Sequence, residues 1–278
     1  MGMQVNTNIS ALNSYRNLSN TQNDLAKSLE KLSSGLRINH AADDAAGLAI
    51  SQGLQSQVSG LTVASRNAQD GISVIQTAEG SLSEVQTILQ RVRDLAVQAG
   101  NDSNNATSRA AIGTEVTALG AELTRIGASA NFNGTKLLNN ATGTLTFQVG
   151  AGSVAAEDQI TVSNTDVAAI GTTVSGLAAA GFATSAAALT TIATLDTNIT
   201  AVSTARANLG AQQNRFESVI RNLSVSTENL TAAKSRITDT DMAAEMVKYT
   251  RSNILSQAGT AMLAQANQGN QGVLQLLR

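Results

Sequence analysis

The chain has 278 residues, of which 42% are hydrophobic, so it can bury a sizeable core, but only 2% are aromatic and tryptophan is absent. The absence of cysteine excludes disulfides and thiolate metal sites, and a net charge of −2 without a basic block argues against tight nucleic-acid binding. Proline is also absent, which permits very long helices, and no apolar stretch reaches the roughly 18 residues that a membrane span needs.

The first part of the chain is predicted to form helices, because apolar residues repeat every seven positions. The first helix carries the row Ala11, Leu18, Leu25 and Leu32. The same spacing continues from Leu54 to Ala96 and predicts a helix over about residues 44–98, about 80 Å long at 1.5 Å per residue. The segment Ala99–Asn104 is typical of a helix end and a turn, and a shorter helix is predicted after it.

The middle of the chain changes from a period of seven to a period of two. Leu145, Phe147 and Val149 alternate with other residues, and Ile160 and Val162 do the same after two glycines. This pattern predicts a β-hairpin near residues 144–163. The next segment, Asp166–Ser185, is low in complexity and rich in Ala, Gly and Thr, so it is predicted to be loop or short irregular structure.

A second long helix is predicted in the C-terminal half from the heptad row Leu209, Phe216, Leu223, Leu230 and Ile237. A last helix follows, rich in Ala, Gln and Asn, with an apolar stripe formed by Met242, Met246, Tyr249 and Leu263. The chain closes on "QGVLQLLR", whose apolar residues are Val273, Leu274, Leu276 and Leu277. The predicted fold class is therefore mainly α, with long coiled-coil-like helices from both chain halves packed together and a small β-hairpin.

The residues that could carry catalysis or bind a metal are few. Asp43 and Asp44 precede the first long helix and Asp241 precedes the last, where a carboxylate can cap a helix and suits its positive end. Because adjacent residues on a helix project in different directions, a shared metal site at the first pair is not favoured. The single histidine, His40, is interpreted as an exposed loop residue. We therefore predict no catalytic, cofactor or metal site.

Several segments occur in an order that is typical of one family. "LSSGLRINHAADDAAGLAIS" (Leu32–Ser51), "LQRVRDLAVQAGN" (Leu89–Asn101) and "NFNGTKLL" (Asn131–Leu138) resemble N-terminal signatures of bacterial flagellins. "LGAQQNRFESVIRNL", "SRITDTDMAAEMVKYTRSNILSQAGTAMLAQANQ" and the terminal "VLQLLR" resemble the C-terminal signatures. The resemblance covers roughly residues 3–165 and 185–278.

The resemblance implies a structural subunit that self-assembles into the flagellar filament for swimming. Residues 1–42 would be an inner-tube helix with its connector, 43–236 a long-helix rod domain with the hairpin, and 237–278 the C-terminal inner-tube helix. The middle of the chain is too short for large outer domains. The assembly residues would be Leu18, Leu25, Leu32, Met242, Met246, Leu263, Val273, Leu274, Leu276 and Leu277.

The resemblance also implies a location and partners. The N-terminus "MGMQVNTNIS" lacks the features of a secretory signal, which by general rules would predict a cytoplasmic protein. Flagellins are instead exported without a cleaved signal peptide, so an extracellular place in the flagellum is expected. The expected partners are other copies of the chain, the export apparatus and an export chaperone, filament-cap and hook-junction proteins, and a vertebrate host's Toll-like receptor. No nucleic acid or membrane insertion is expected.

The segment Gln90–Gln98 has two interpretations. On its sequence it is a solvated helix face: Val92, Ala96 and Leu95 could serve the buried row, and the polar residues Gln90, Arg91, Asp94 and Gln98 would then face outward. The resemblance adds subunit contacts and receptor recognition at Gln90, Arg91, Leu95, Gln98 and Glu115. Receptor-active members often have an arginine four residues after that glutamate, where this chain has Leu119, so weaker receptor activation is expected.

Two alternative functions are considered. A flagellar hook–filament junction protein of the same superfamily would share the terminal helices, and a soluble helical binding module, such as a chaperone or adhesin, would be a finished monomer. The close fit of "GLRINHAADDAAGLAIS" and the short middle favour a flagellin.

Overall fold

The computed structural model describes residues 8–139 and 143–276, apart from the side chains of residues 179 and 269–276. The elements are α1 (Ile9–Ser34), α2 (Ala45–Ala99), α3 (Ala106–Ser129), β1 (Asn131–Phe132), β2 (Thr135–Lys136), β3 (Thr144–Gln148), α4 (Ala155–Asp158), β4 (Gln159–Ser163), α5 (Val167–Ala180), α6 (Ser185–Thr238) and α7 (Met242–Leu276). The predicted fold class is confirmed, because long helices dominate and the β-structure is small. Within the described ranges, none of the helices is both long and apolar enough to cross a membrane.

Two compact units divide the chain. The terminal unit consists of Met1–Ser56 and Asn229–Arg278, and the central unit consists of Gln57–Glu228. Both boundaries fall inside a long helix, α2 or α6.

The hydrophobic core of the central unit follows the predicted heptad rows. On α2 the row of Ala68, Ile75, Leu82, Leu89 and Ala96 is almost completely buried. On α6 the buried residues are Leu195, Val202, Leu209, Phe216 and Leu223. Such spacing keeps apolar side chains on one face along a whole helix, so two long helices can share one continuous core.

The β3–β4 hairpin confirms the predicted change of period. The strands are antiparallel, with Leu145 opposite Val162 and Phe147 opposite Ile160. Phe147 meets Phe216 of α6 edge to face, with ring centroids 5.5 Å apart. Gly71 of α2 permits this contact, because a Cβ there would lie 2.9 Å from Cζ of Phe216.

A second, shorter hairpin joins β1 and β2 and was not predicted. Asn133 and Gly134 form its two-residue turn with φ values of 48° and 82°. Asn-Gly is the preferred pair for such turns, because both positions need a positive φ.

The prediction of a loop over Asp166–Ser185 is wrong. Most of this segment is α5, a helix of 14 residues capped by Asp166, whose Oδ1 accepts a hydrogen bond from the backbone N–H of Ala169. Its apolar residues Val167, Ile170 and Val174 are buried at helical spacing. The low complexity of the segment concealed this pattern. Its small residues allow α5 to pack close to α3.

Candidate assembly interface

The helices α1 and α7 form an antiparallel pair in the terminal unit. Near the start of α1, Asn8 Nδ2 donates to the carbonyl of Ala266, 2.9 Å away. Near the end of α1, Ser28 Oγ donates to Oε1 of Glu245 at 2.7 Å. The beginning of each helix therefore lies beside the later part of the other.

The contact between α1 and α7 uses heptad rows on both helices. On α1, Leu18, Leu25 and Leu32 are half-buried and Ser28 is buried. On α7 the buried and half-buried row consists of Glu245, Tyr249, Ser252, Ser256, Gly259, Leu263 and Ala266. A Cβ at Gly259 would lie 3.2 Å from Cδ1 of Leu18, so any larger residue there would have to shift the Leu18 side chain. Of the predicted assembly residues, Leu18, Leu25, Leu32 and Leu263 thus lie within the pair.

Both helices also expose large apolar side chains that the pairing does not cover. On α1 these are Ile9, Leu12, Tyr15 and Leu29. On α7 they are Met242, Met246, Val247, Ile254, Leu255 and Met262, each 48–65% exposed. Met242 and Met246 are exposed, whereas Tyr249, with which the sequence pattern grouped them, is half-buried.

One continuous surface contains most of these α7 residues. We call it the outer surface of α7, and it consists of Ala243, Met246, Val247, Thr250, Arg251, Ile254 and Leu255. Sequence reasoning missed Val247, Ile254 and Leu255. The signal was present, because Ala243, Val247, Thr250 and Ile254 follow helical spacing.

The predicted assembly residues at the chain end lie where the structure describes the backbone only in part and the side chains not at all. Val273, Leu274 and Leu276 lie in α7, but their side chains are outside the described residues. Leu277 lies outside the described residues altogether.

The connectors of the terminal unit are held by backbone pairing. Leu36 and Asp239 form an antiparallel bridge. The backbone N–H of Arg37 donates to the carbonyl of Thr238, and that of Thr240 donates to the carbonyl of Gly35. The α1–α2 and α6–α7 connections are therefore tied together.

Each predicted capping carboxylate accepts backbone hydrogen bonds. Asp44 Oδ1 accepts from Gly47 at the start of α2, and Asp241 Oδ1 accepts from Ala243 and Ala244 at the start of α7. Asp43 instead closes the preceding loop.

Asp43 Oδ2 accepts from the backbone N–H groups of Asn39 and His40. Both hydrogen bonds lower the pKa of the Asp43 carboxyl, and the bond from the backbone of His40 has the larger effect.

The predicted contact residues of the central unit are divided between surface and core. Gln90, Arg91, Gln98 and Glu115 are exposed, and Nε and Nη2 of Arg91 donate to Oε1 of Glu115 at 3.0 and 2.8 Å. Leu95 is only 2% exposed and belongs to the hydrophobic core. Its side chain is therefore not exposed with those of the other four residues.

The described part of the chain offers no group of three His, Cys, Asp or Glu side chains that could hold a metal ion. Nε2 of His40 lies 2.8 Å from Oε1 of Glu30, and both side chains are exposed.

Comparison with known proteins decides the family. The bacterial flagellin N-terminal helical region matches residues 5–142, and the flagellin C-terminal helical region matches residues 192–277. The chain belongs to the bacterial flagellin family.

Two flagellins are similar to this chain over nearly its whole length. The flagellin of Halalkalibacterium halodurans is 50% identical over 276 residues, covering 99% of this chain and 100% of its own. The flagellin of Bacillus subtilis is 50% identical over 304 residues, with the same coverage of both chains. This chain is therefore a structural subunit that self-assembles into the flagellar filament, an extracellular appendage.

A solved structure of a protein from Vibrio parahaemolyticus, described as flagellar hook-associated, shares the fold. It has a TM-score of 0.58 and 13% identity, and the match covers 71% of this chain and 100% of that one. Such identity shows the fold alone. The full-length match to flagellins at 50% identity favours a filament subunit over the junction protein and over a soluble binding module.

Proposed function

We propose that the paired helices α1 and α7 are the element through which this subunit joins the filament. One observation carries the proposal: pairing within the chain leaves large apolar side chains of both helices exposed. A contiguous exposed apolar surface usually marks an interaction site. Since the subunit self-assembles, the occupant that we propose is a second copy of the chain.

The exposed side chains would contribute free energy to such an association. Full burial of a Met, Val, Ile or Leu side chain stabilises by about 1.5–3 kcal/mol. The four large apolar residues of the outer surface of α7 are 52–60% exposed, so each would contribute about 1 kcal/mol on further burial. In a lattice each subunit makes contacts with several neighbours but loses its translational and rotational freedom only once, so the contacts together can offset that cost.

The proposal assigns different roles to the predicted assembly residues. Leu18, Leu25, Leu32 and Leu263 hold the two helices to each other, whereas Met242 and Met246 contact neighbouring subunits. We assign the apolar residues of the chain end, Val273, Leu274, Leu276 and Leu277, to the same intersubunit role. Residues 1–42 and 237–278 would then form the inner tube and 43–236 the rod.

A pair of matched substitutions tests the role of α7. Val247 on the outer surface is 60% exposed, and Val225 on α6 in the central unit is 58% exposed. We expect Val247→Asp to raise the critical concentration for polymerisation at least tenfold, because a charge would be buried at the interface. Val225→Asp should change it much less. Equal effects of the two substitutions would contradict the proposal, and circular dichroism would verify that both variants are folded.

We propose a second contact surface on the central unit, formed by Gln90, Arg91, Gln98 and Glu115. The exposed ion pair between Arg91 and Glu115 joins α2 to α3 there and presents polar groups that another protein can bind. The proposed ligand is the host Toll-like receptor, and the same surface would serve subunit contacts in the filament.

Arg91→Ala in the depolymerised subunit should weaken receptor activation in a cell reporter assay. Arg125→Ala, which removes another exposed arginine of an ion pair on α3, is the control. Undiminished signalling by the Arg91 variant would refute this contact.

We also infer that the chain is exported without a cleaved signal peptide, with the export apparatus and an export chaperone as partners and with cap and hook-junction proteins at the filament ends. The support is family membership. N-terminal sequencing of protein from purified filaments tests the first point, since a processed N-terminus would exclude it.

A further inference from the structure

The methionines of this chain have an unusual distribution. The chain contains five methionines and no cysteine, so thioethers provide all of its sulfur atoms. Met1 and Met3 lie outside the described residues, and Met242, Met246 and Met262 all lie on α7. None lies between residues 57 and 228, so the core of the central unit contains no methionine. Methionine is normally among the buried residue types.

The three α7 methionines are all accessible. They are 48%, 52% and 65% exposed, in chain order. Met246 belongs to the outer surface of α7, and Met242 lies one helical turn before it. Met262 lies two turns after Leu255, on the same row of the helix.

We propose that these thioethers are a modification site through which peroxide controls assembly: oxidation of the free subunit blocks polymerisation, and polymerisation protects the thioethers. The proposal rests on the proposed role of α7 in assembly. In the reaction the thioether sulfur attacks one oxygen of hydrogen peroxide and the O–O bond breaks. The sulfur becomes a sulfoxide, and the other oxygen leaves as water after proton transfer.

The sulfoxide changes the outer surface from apolar to polar. It carries a strong hydrogen-bond acceptor where the thioether had almost none, and burial of an unpaired acceptor is costly. Among the seven residues of the outer surface, only Thr250 and Arg251 have side-chain donors. Thr250 Oγ1 already donates to the backbone carbonyl of Met246, so within this surface oxidised Met246 would depend on Arg251 for a donor.

The same modification should spare the rest of the subunit. The hydrophobic core extends from Ala68 to Phe216 and has no methionine to oxidise. Oxidation should therefore impair assembly while the central unit stays folded, whereas a general denaturing treatment would impair both. Methionine sulfoxide is reversible by methionine sulfoxide reductases, so the block can be removed.

The test compares free subunits and preformed filaments after equal treatment with hydrogen peroxide. Peptide mass spectrometry measures oxidation at each methionine, and sedimentation measures the critical concentration. We expect Met242, Met246 and Met262 to oxidise at least tenfold faster in free subunits than in filaments. Oxidised subunits should show an at least tenfold higher critical concentration with unchanged far-ultraviolet circular dichroism, and reduction by a sulfoxide reductase should restore polymerisation.

The control is the variant with Met242→Leu, Met246→Leu and Met262→Leu, which retains Met1 and Met3. Leucine conserves apolar character but has no sulfur to oxidise, so peroxide should leave the critical concentration of this variant at its own untreated value. Peroxide inhibition of this variant would overturn the proposal. If the leucine substitutions themselves impair polymerisation, the deciding measurement is whether a sulfoxide reductase restores polymerisation of the oxidised original chain. Failure to restore it would overturn the proposal.

The outcomes also separate this inference from the proposed function. If Val247→Asp polymerises normally, the role of α7 in assembly fails and this inference fails with it. If Val247→Asp blocks polymerisation but oxidised subunits polymerise normally, only the oxidation proposal is overturned.

Discussion

Glu245 brings a charge into the contact between α1 and α7. It is 5% exposed, accepts a hydrogen bond from Ser28 Oγ and pairs with Lys248 Nζ at 3.0 Å. Burial by itself raises the pKa of this carboxyl, but the hydrogen bonds from Ser28 and Lys248 and the nearby positive charges outweigh burial and lower the pKa. The buried carboxylate therefore contributes to holding the two helices in one register.

The lowered pKa of Glu245 predicts a loss of stability in acid. Its folded-state pKa lies below that of the unfolded chain, about 4.3, so its contribution is complete above that pH and is lost as the pH falls through the folded-state value. Glu245→Gln should remove this part of the pH dependence. Thermal unfolding by circular dichroism between pH 3 and 7 measures it, with Glu84→Gln on the exposed face of α2 as control. Equal pH dependence in the original chain and the Glu245 variant would contradict the prediction.

The exposed pair of His40 and Glu30 should contribute little to stability. His40 lies 2.8 Å from Glu30, but with 70% and 42% of the side chains exposed the pair is worth about 0–1 kcal/mol. We expect His40→Ala to change the free energy of unfolding by less than about 1 kcal/mol and to leave filament yield unchanged. Denaturant unfolding and electron microscopy check this. A large loss of yield would assign His40 a role that its surroundings do not indicate.

At the scale of elements, α3 and α5 pack through closely approaching backbones. Gly113, Gly120 and Gly127 lie seven residues apart on α3. A Cβ at Gly120 would lie 2.9 Å from the backbone nitrogen of Ser175, and one at Gly127 would lie 2.7 Å from that of Ala168. The glycine row therefore forms the groove that α5 occupies.

Substitution of Gly120 tests this packing. We expect Gly120→Ala to destabilise the chain by about 1–3 kcal/mol, because the added methyl group must push α5 away from α3. Gly176→Ala on α5 is the matched control. Nothing lies within 4 Å of a Cβ there, so it should stabilise the helix by about 0.5–1 kcal/mol. Urea unfolding measures the free energy of unfolding of both variants. An unchanged value for Gly120→Ala would show that a methyl group fits between the two helices.

At the scale of the whole molecule, folding and polymerisation depend on different parts of the chain. The hydrophobic core lies between Ala68 and Phe216, far in sequence from the apolar chain end. Deletion of Gly272–Arg278 should therefore leave most of the helix content intact but abolish or strongly weaken polymerisation. Circular dichroism and sedimentation test the two halves of this prediction. Normal filaments at the original critical concentration would exclude the chain end as an assembly element.

Local pattern was enough to predict much of the molecule. The heptad rows on α2 and α6 predicted both long helices and their buried faces, because periodicity records which side of a helix is apolar. Alternation at Leu145–Val149 predicted the hairpin in the same way. The ordered sequence motifs indicated the family.

Only the tertiary structure decided which faces meet within the chain. The groove for α5 lies on α3, so the composition of Asp166–Ser185 could not reveal the helix by itself. Leu95 lies at the edge of an apolar row and became core only because neighbouring elements cover it. On α7, pairing with α1 covers Tyr249 but leaves Met246 exposed, although both are apolar and three residues apart. Periodicity identifies apolar faces, but contacts between distant segments determine which face the chain itself covers and which remains for another copy.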